Sequence, residues 1–243
     1  MNAKEILSGK LIVSCQALPD EPLHGGVFME RMAAAASQGG AGGIIANGPD
    51  DTRAIKQGTV ALPVIGVLSR AYPNSPVMLT ATMREVDELV EAGVDIVALD
   101  VTARLRPAGE SLAQLVSRVR RKYSALPLIA EISTFDEALQ AESLGFDCIS
   151  SAMVGYTDST RGRTNPDDDF ALIRSLRARS SCFLIAEGGI KTPEQAAAAM
   201  RAGAHAVTVG SAITRPQFIT SWFSRAVRDA IKNNVDAVES VDR

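Results

Sequence analysis

Three acidic residues follow short apolar runs that have the composition of β-strands. Asp100 follows IVAL, Glu131 follows LIA, and Glu187 follows a second LIA. A carboxyl group in apolar surroundings has a raised pKa and can act as a general acid or base. A hydrogen-bonding anchor is the alternative role for Glu187. Three acids at one site would fit hydroxyl recognition and proton transfer on a polyol.

Glycine-rich turns follow two of the apolar runs and offer unobstructed backbone N–H groups. They contain Gly188 and Gly189 in IAEGGI, and Gly210 with Ser211 in VTVGSAI. A short helix that begins near Ser211 would add its positive N-terminal end. The pair of turns predicts a phosphate site, with simple tight turns as the alternative.

These residues belong to a regular alternation of β-type runs and Ala/Glu-rich helical stretches. The runs begin at Leu11, Gly42, Pro63, Asp95, Leu128, Asp147, Phe183 and Ala206. Eight βα units in 243 residues predict the α/β class and a (β/α)8 TIM barrel, whose usual size is about 250 residues. Active sites of such barrels lie at the C-terminal ends of the strands, and the loops after strands 7 and 8 often bind phosphate. An open doubly wound sheet is the alternative, but SCQALPDEP after the first run lacks the glycine-rich turn of that fold.

The alternation predicts one domain over residues 1–243, with the barrel at about 10–231 and a polar C-terminal tail. Two connections are long, at 69–82 and 155–169. Long loops on the catalytic face usually carry binding or lid functions. Disorder is the alternative for the second of them.

Charge and composition indicate which partners and which cellular compartment to expect. A net charge of −3 provides no basic field, so we expect neither nucleic acid nor an anionic membrane as a partner. No apolar run approaches the roughly 18 residues that span a bilayer, and MNAKEILSGK lacks the features of a signal peptide. We therefore expect a cytoplasmic protein. With two histidines and no CxxC pair, the sequence predicts no zinc site.

Four segments of the chain resemble the N-acetylmannosamine-6-phosphate 2-epimerase family. They are IVSCQALPDEPL (12–23), VIGVLSRAYPNSPV (64–77), IAEGGIKTPEQA (185–196) and VTVGSAITRP (207–216). Shorter matches are VALD (97–100), ISTFDEAL (132–139) and VGYT (154–157). The resemblance implies a phosphate-binding TIM barrel of amino-sugar and sialic-acid (N-acetylneuraminate) breakdown. It implies interconversion of N-acetylmannosamine-6-phosphate and N-acetylglucosamine-6-phosphate by proton exchange at C2, without a metal or other cofactor.

The resemblance also assigns roles to individual positions. Removal of the C2 proton next to the C1 aldehyde gives an enolate, which needs a base and a group that holds the oxyanion. In the family a lysine after strand 3 and a glutamate after strand 7 are implicated, and these positions are Ser69 and Glu187 here. The implied substrate contacts are Gln16, Asp100 and Tyr156, with Gly188, Gly210 and Ser211 in the two glycine turns. Asn47 and Glu131 are further candidates for substrate binding, and Gly189 is a further candidate for phosphate binding, because each follows a predicted strand.

The chain departs from the family pattern at four positions, all on the predicted catalytic face. IGxxKRDYPDSPV becomes IGVLSRAYPNSPV, so Ser69 stands at the lysine position. Ile45 and Gly189 each stand where the family has an arginine, and Glu131 stands where it has an aspartate. A serine hydroxyl holds neither a proton nor a positive charge near pH 7, so it does not replace lysine.

Three arginines are candidates to restore the lost charge, namely Arg70, Arg161 and Arg163. A solvated surface position is the alternative for each, and Arg70 should point away from the side on which Ser69 lies.

Three interpretations of function follow. The first is an isomerase of the 2-epimerase type, the second a different sugar-phosphate enzyme on the same barrel, and the third a non-catalytic sugar-phosphate binder. The small side chains of MAAAAS (32–37) permit close packing against the barrel or a second subunit, so a homodimer is a further expectation.

Overall fold

A computed structural model describes residues 3–58 and 60–241, with the side chains of the last helix described as far as Ile231. The strands are β1 (Leu11–Cys15), β2 (Gly43–Asn47), β3 (Val64–Val67), β4 (Ile96–Asp100), β5 (Leu128–Glu131), β6 (Cys148–Ser150), β7 (Phe183–Glu187) and β8 (Ala206–Val209). The helices are α1 (Ala3–Leu7), α2 (Gly26–Gln38), α3 (Gly48–Gln57), α4 (Met83–Ala92), α5 (Leu112–Lys122), α6 (Phe135–Ser143), α7 (Ala171–Arg179), α8 (Pro193–Arg201), α9 (Ser211–Thr214) and α10 (Pro216–Val241).

The eight strands form a closed parallel barrel in sequence order, which confirms the predicted (β/α)8 fold. Every predicted run supplies one strand, and β1 pairs with β8 to close the ring. The strands are buried nearly throughout, as expected when one face meets the helices and the other fills the barrel. Among the described residues, no helix is both long and apolar enough to span a bilayer.

Alternation along the strands brings the three predicted acids to one place. Side chains two residues apart share a face, and the barrel interior contains Ile96 with Ala98, Ile129, and Phe183 with Ile185. The same parity directs Asp100, Glu131 and Glu187 into the barrel at its C-terminal mouth. Register supports this arrangement, since Asp100 lies opposite Glu131 on the neighbouring strand.

The opposite end of the barrel is closed by α1. Ala3 and Leu7 are fully buried and pack in the same apolar cluster as Ile12 and the first residues of several strands. Water is therefore excluded from the N-terminal end, and access to the interior is left to the C-terminal mouth.

Local sequence sets the starts of the helices that follow the strands. Thr82, Ser111 and Thr134 each accept a backbone hydrogen bond from the first turn of α4, α5 and α6, with a reciprocal Glu or Gln three positions on. Thr192 caps α8 ahead of Pro193 at the first helical turn.

The two long connections differ in structure from each other. Residues 69–82 form isolated bridges, Ser69 with Leu79 and Tyr72 with Ser75, and no full strand. Residues 155–169 form a loop that ends in a 3-10 turn at Asp167–Asp169. The predicted polar tail, 233–243, falls where no side chains are described.

Candidate active site

A cavity of about 400 Å³ opens at the C-terminal mouth beside β7 and β8. That volume suits a phosphorylated monosaccharide, since small-molecule sites run from about 300 to 1,000 Å³. Seven residues predicted from the sequence line it: Gln16, Tyr156, Glu187, Gly188, Gly189, Gly210 and Ser211. The strand parity and the two glycine turns therefore converge on one site.

The glycine turn after β7 presents two backbone amides at this cavity. Gly188 and Gly189 have φ values of 97° and 74°, which side-chain-bearing residues rarely adopt. In the described part of the chain, neither amide N–H donates to a protein acceptor. The predicted short helix also forms, as α9 begins at Ser211 directly after Gly210.

Two basic residues that the sequence reasoning missed lie beside these turns. Lys191 and Arg215 both line the cavity. The Lys191 ammonium lies 5.7 Å from the centroid of the Trp222 ring, and Arg215 pairs with Glu21 at 3.1 Å. Both occur in the motifs already singled out, IAEGGIKTP and GSAITRP, so their proximity to the glycines was the available signal. They supply positive charge where an anion would sit.

Glu187 lies at the floor of the cavity and is held by hydroxyl groups from β6 and the residue after it. Ser150 Oγ donates to Glu187 Oε2 at 2.8 Å, and Ser151 Oγ accepts from the Glu187 amide at 3.1 Å. Burial raises the pKa of Glu187 to about 7, although the hydroxyls of Ser150 and Thr208 oppose the rise. A carboxyl group that titrates near neutral pH is suited to general acid–base work.

Glu131 is buried and, unlike Glu187, does not line the cavity. Its pKa lies well above the usual range, first because of burial and then because of the negative charges of Glu187 and Asp100. Asp100 is paired differently, because it accepts from Arg104 Nη2 at 2.6 Å and from the Thr102 hydroxyl at 2.7 Å. Of the three predicted acids, Glu187 is therefore the one placed to exchange a proton with a molecule in the cavity.

The predicted site residues after β2 and β3 do not reach the cavity. The Ser69 amide donates to Asn47 Oδ1 at 3.0 Å, and neither residue lines the cavity. Ser69 is exposed, while Arg70 is ion-paired to Glu85 and Glu88. The structure therefore brings Ser69 and Asn47 together, but apart from Glu187.

The arginines proposed to compensate do not reach the cavity. Arg161 pairs with Asp158 on an exposed turn, and Arg163 lines a separate cleft under the 155–169 loop. With Arg70 facing α4, none of the three lines the cavity that contains Glu187. Positive charge reaches it from Lys191 and Arg215 instead.

Comparisons with known proteins give the family. The model of a family described as "Putative N-acetylmannosamine-6-phosphate epimerase" matches residues 29–229. Proteins described as 2-epimerases for the same compound are 52% identical in Shouchella clausii, over 91% of this chain and 97% of that one, and 50% identical in Enterobacter sp. strain 638, over 92% and 94%.

Solved structures agree with the sequence relatives. A structure of the N-acetylmannosamine-6-phosphate 2-epimerase from Clostridium perfringens is 44% identical, covers 92% of this chain and 95% of its own, and has a TM-score of 0.87. A thiamine phosphate pyrophosphorylase from Pyrococcus furiosus shares the fold alone, with a TM-score of 0.60 at 18% identity. The chain therefore belongs to the N-acetylmannosamine-6-phosphate epimerase family.

Proposed function

We propose that this protein is an isomerase that interconverts N-acetylmannosamine-6-phosphate and N-acetylglucosamine-6-phosphate by proton exchange at C2. One observation carries the proposal. A glycine turn with free backbone amides, Gly188–Gly189, lines the same cavity as Glu187, a carboxyl group whose pKa is about 7. Membership of the family supports the substrate.

The phosphate end of the substrate lies against the turns after β7 and β8. The amides of Gly188 and Gly189, together with Gly210 and Ser211 at the start of α9, supply hydrogen-bond donors. Lys191 and Arg215 neutralise the dianion. These cations take over the electrostatic task of the arginine that Gly189 replaces in the family pattern.

The carbon that reacts faces Glu187. At neutral pH a substantial fraction of this side chain is ionised, since its pKa is about 7. The carboxylate removes the C2 proton of the open-chain sugar, and the C–H electron pair becomes the C1=C2 bond of an enolate. The former C1=O π electrons move to O1, which needs a proton or a hydrogen-bond donor.

Gln16 is suited to hold O1, because it lines the same cavity as Glu187. One hydrogen of its side-chain amide is donated to Ser14 Oγ at 2.8 Å, and the other can be donated to the developing oxyanion. The former π electrons stay on O1 as an enolate, and their return restores the aldehyde when C2 is reprotonated. In this account a neutral hydrogen-bond donor takes the place of the positive charge that is missing at Ser69.

Epimerisation also requires that C2 be protonated on its other face. Rotation about the C2–C3 bond turns that face of the enolate toward Glu187, which now holds the proton. Exchange of this proton with solvent before it returns would label C2. One base, one hydrogen-bond donor and a mobile enolate are therefore sufficient for the reaction.

The proposal is tested by starting from each epimer in turn. We expect 1H NMR to show both anomeric signal sets converging on the same ratio from N-acetylmannosamine-6-phosphate and from N-acetylglucosamine-6-phosphate. Unphosphorylated N-acetylmannosamine serves as the control and should convert far more slowly. Binding of the sugar phosphates without conversion would instead identify a non-catalytic binder.

We also propose that the protein is a homodimer. The apolar face of α10 presents Phe223, Val227 and Ile231 to solvent, each more than half exposed. Beside β8 an apolar groove of about 470 Å³ is lined by Leu11 of β1, Val209 of β8 and residues of α8 and α9. A second copy that covers the apolar face of α10 would remove this exposed surface from water.

A charged sugar phosphate does not cross bilayers unaided, so we place the activity in the cytoplasm.

A further inference from the structure

The end of the loop after β6 crosses behind the glycine turn of the cavity. Asn165 Nδ2 donates to the carbonyl oxygens of Ser151 at 3.1 Å and Gly188 at 3.2 Å, and also to that of Glu187. One side-chain amide therefore holds three carbonyls at the ends of β6 and β7. Asn165 is buried, with 5% of its surface exposed, and does not line the cavity.

Contacts on the same side explain why the turn contains two glycines. A Cβ on Gly188 would lie 3.1 Å from Asn165 Nδ2, and one on Gly189 would lie 2.9 Å from Thr164 Cβ. Both positions also have positive φ. The loop thus fills the space in which side chains at 188 and 189 would begin, including that of the family arginine at 189.

The direction of the carbonyls determines the direction of the amides. In a trans peptide the C=O and the N–H of one unit point in opposite directions. Asn165 draws the Glu187 and Gly188 carbonyls toward the loop, so the N–H groups of Gly188 and Gly189 point away from it. Within the described chain neither of these two amides donates to a protein acceptor, and both residues line the cavity.

We propose that Asn165 is the positioning residue of the phosphate site, and that it aims the Gly188 and Gly189 amides at the phosphate of the substrate. The inference rests on the proposed phosphate end of the cavity but not on turnover. Asn165 acts through the backbone and touches neither the substrate nor the reacting carbon.

Two variants test the role of the side-chain donor. Asn165→Asp keeps the shape but places a carboxyl oxygen against three carbonyls, and Asn165→Ala removes the donor without adding charge. Each lost charge-assisted hydrogen bond to phosphate corresponds to a factor of about ten in affinity. We expect KM for the sugar phosphate and Kd for inorganic phosphate to rise about tenfold or more, with a smaller change in kcat.

Arg161→Ala is the matched control on the same loop. It removes a positive charge from the same loop, but Arg161 is exposed, pairs with the exposed Asp158 and does not line the cavity. KM and phosphate affinity should remain as in the parent protein. If both Asn165 variants fold, as judged by circular dichroism, and keep the parental KM and phosphate affinity, the inference is wrong.

A measurement on the unaltered protein avoids any dependence on variant folding. Glu187–Gly188 is the one Glu-Gly pair in the sequence, so labelling with 13C-carbonyl glutamate and 15N-glycine isolates the Gly188 amide in an HNCO spectrum. We expect this signal to move downfield on addition of inorganic phosphate and to saturate. An unmoved signal in a protein that still binds phosphate would overturn the inference, whereas absence of epimerisation would count only against the proposed reaction.

Discussion

At the scale of single residues, the account depends on Glu187, the one of three predicted acids that lines the cavity and whose pKa lies near 7. Burial and the charges of Glu187 and Asp100 raise the pKa of Glu131, which does not line the cavity. Asp100 is engaged by Arg104 and Thr102. Strand parity made all three acids predictable as barrel-mouth residues. Their different surroundings were not predictable, because they depend on partners that lie elsewhere in the chain.

Removal of the base should abolish proton exchange while leaving binding. We expect Glu187→Gln to lower kcat by about 10²–10⁴, the usual contribution of a positioned base. The affinity for inorganic phosphate should stay within about threefold, since the amide retains the shape of the carboxyl group. NMR time courses of the conversion give kcat, and isothermal titration calorimetry gives the affinity for inorganic phosphate. An unchanged kcat would assign the proton transfer to another group.

The pH dependence of stability offers a test that needs no substrate. Folding raises the pKa of Glu187 from 4.5 to about 7, so the folded state binds this proton more tightly than the unfolded chain does. The associated stability is complete below pH 4.5 and is lost as the pH rises through about 7.

The parent protein should therefore lose on the order of 1–3 kcal/mol more than Glu187→Gln over this interval, since one pKa unit corresponds to about 1.4 kcal/mol. Urea unfolding of the two proteins at pH 4.5 and at pH 8 measures the difference. Parallel pH profiles for the two proteins would show that burial of this carboxyl group has no such cost.

At the scale of elements, the βα loops are fixed by the starts of the helices that follow. Glu137 in α6 accepts from the Ala103 amide at 2.9 Å, the Ser133 amide at 2.7 Å and the Thr134 amide at 3.0 Å. One carboxylate therefore joins the loops after β4 and β5, which lead out from Asp100 and Glu131. The capping box at Thr134 is a local pattern of four residues, whereas the link to Ala103 spans 34 residues and leaves no local signal in the sequence.

This link predicts unequal effects of two substitutions at the same cap. Thr134→Ala should lower the free energy of unfolding by about 1 kcal/mol, as for a lost N-cap. Glu137→Ala should lower it by about 3 kcal/mol, because it leaves buried amides of two loops without an acceptor. Urea denaturation with a shared m-value compares them. Equal losses would reduce Glu137 to an ordinary capping residue.

At the scale of the whole molecule, periodicity sufficed to predict the barrel, since each βα unit repeats the same local signals. It did not show where α10 packs, because an apolar stripe specifies a buried face and not the surface that buries it. It also did not show that the 155–169 loop is held by Asn165, whose acceptors lie 14, 22 and 23 residues away. Contacts between distant segments were the missing information in both cases.

The exposed apolar face of α10 predicts a dimer, and charged side chains placed on that face should disrupt it. We expect light scattering to give twice the chain mass for the parent protein and the single chain mass for Phe223→Glu with Val227→Glu. Arg225→Glu changes an exposed residue on the same helix and should leave the dimer intact. A monomeric parent protein would show that a second copy does not cover this face.

The central claim is that this barrel exchanges the C2 proton without the lysine that the family resemblance implies at the position of Ser69. The most direct test is 1H NMR of the unaltered protein with N-acetylmannosamine-6-phosphate in deuterated water, beside a Ser69→Lys variant. The account predicts that the unaltered protein removes the C2 proton signal while the gluco epimer appears, because Glu187 removes the proton and Gln16 holds the oxyanion. Exchange by the Ser69→Lys variant alone would contradict it and show that the pocket persists without its base.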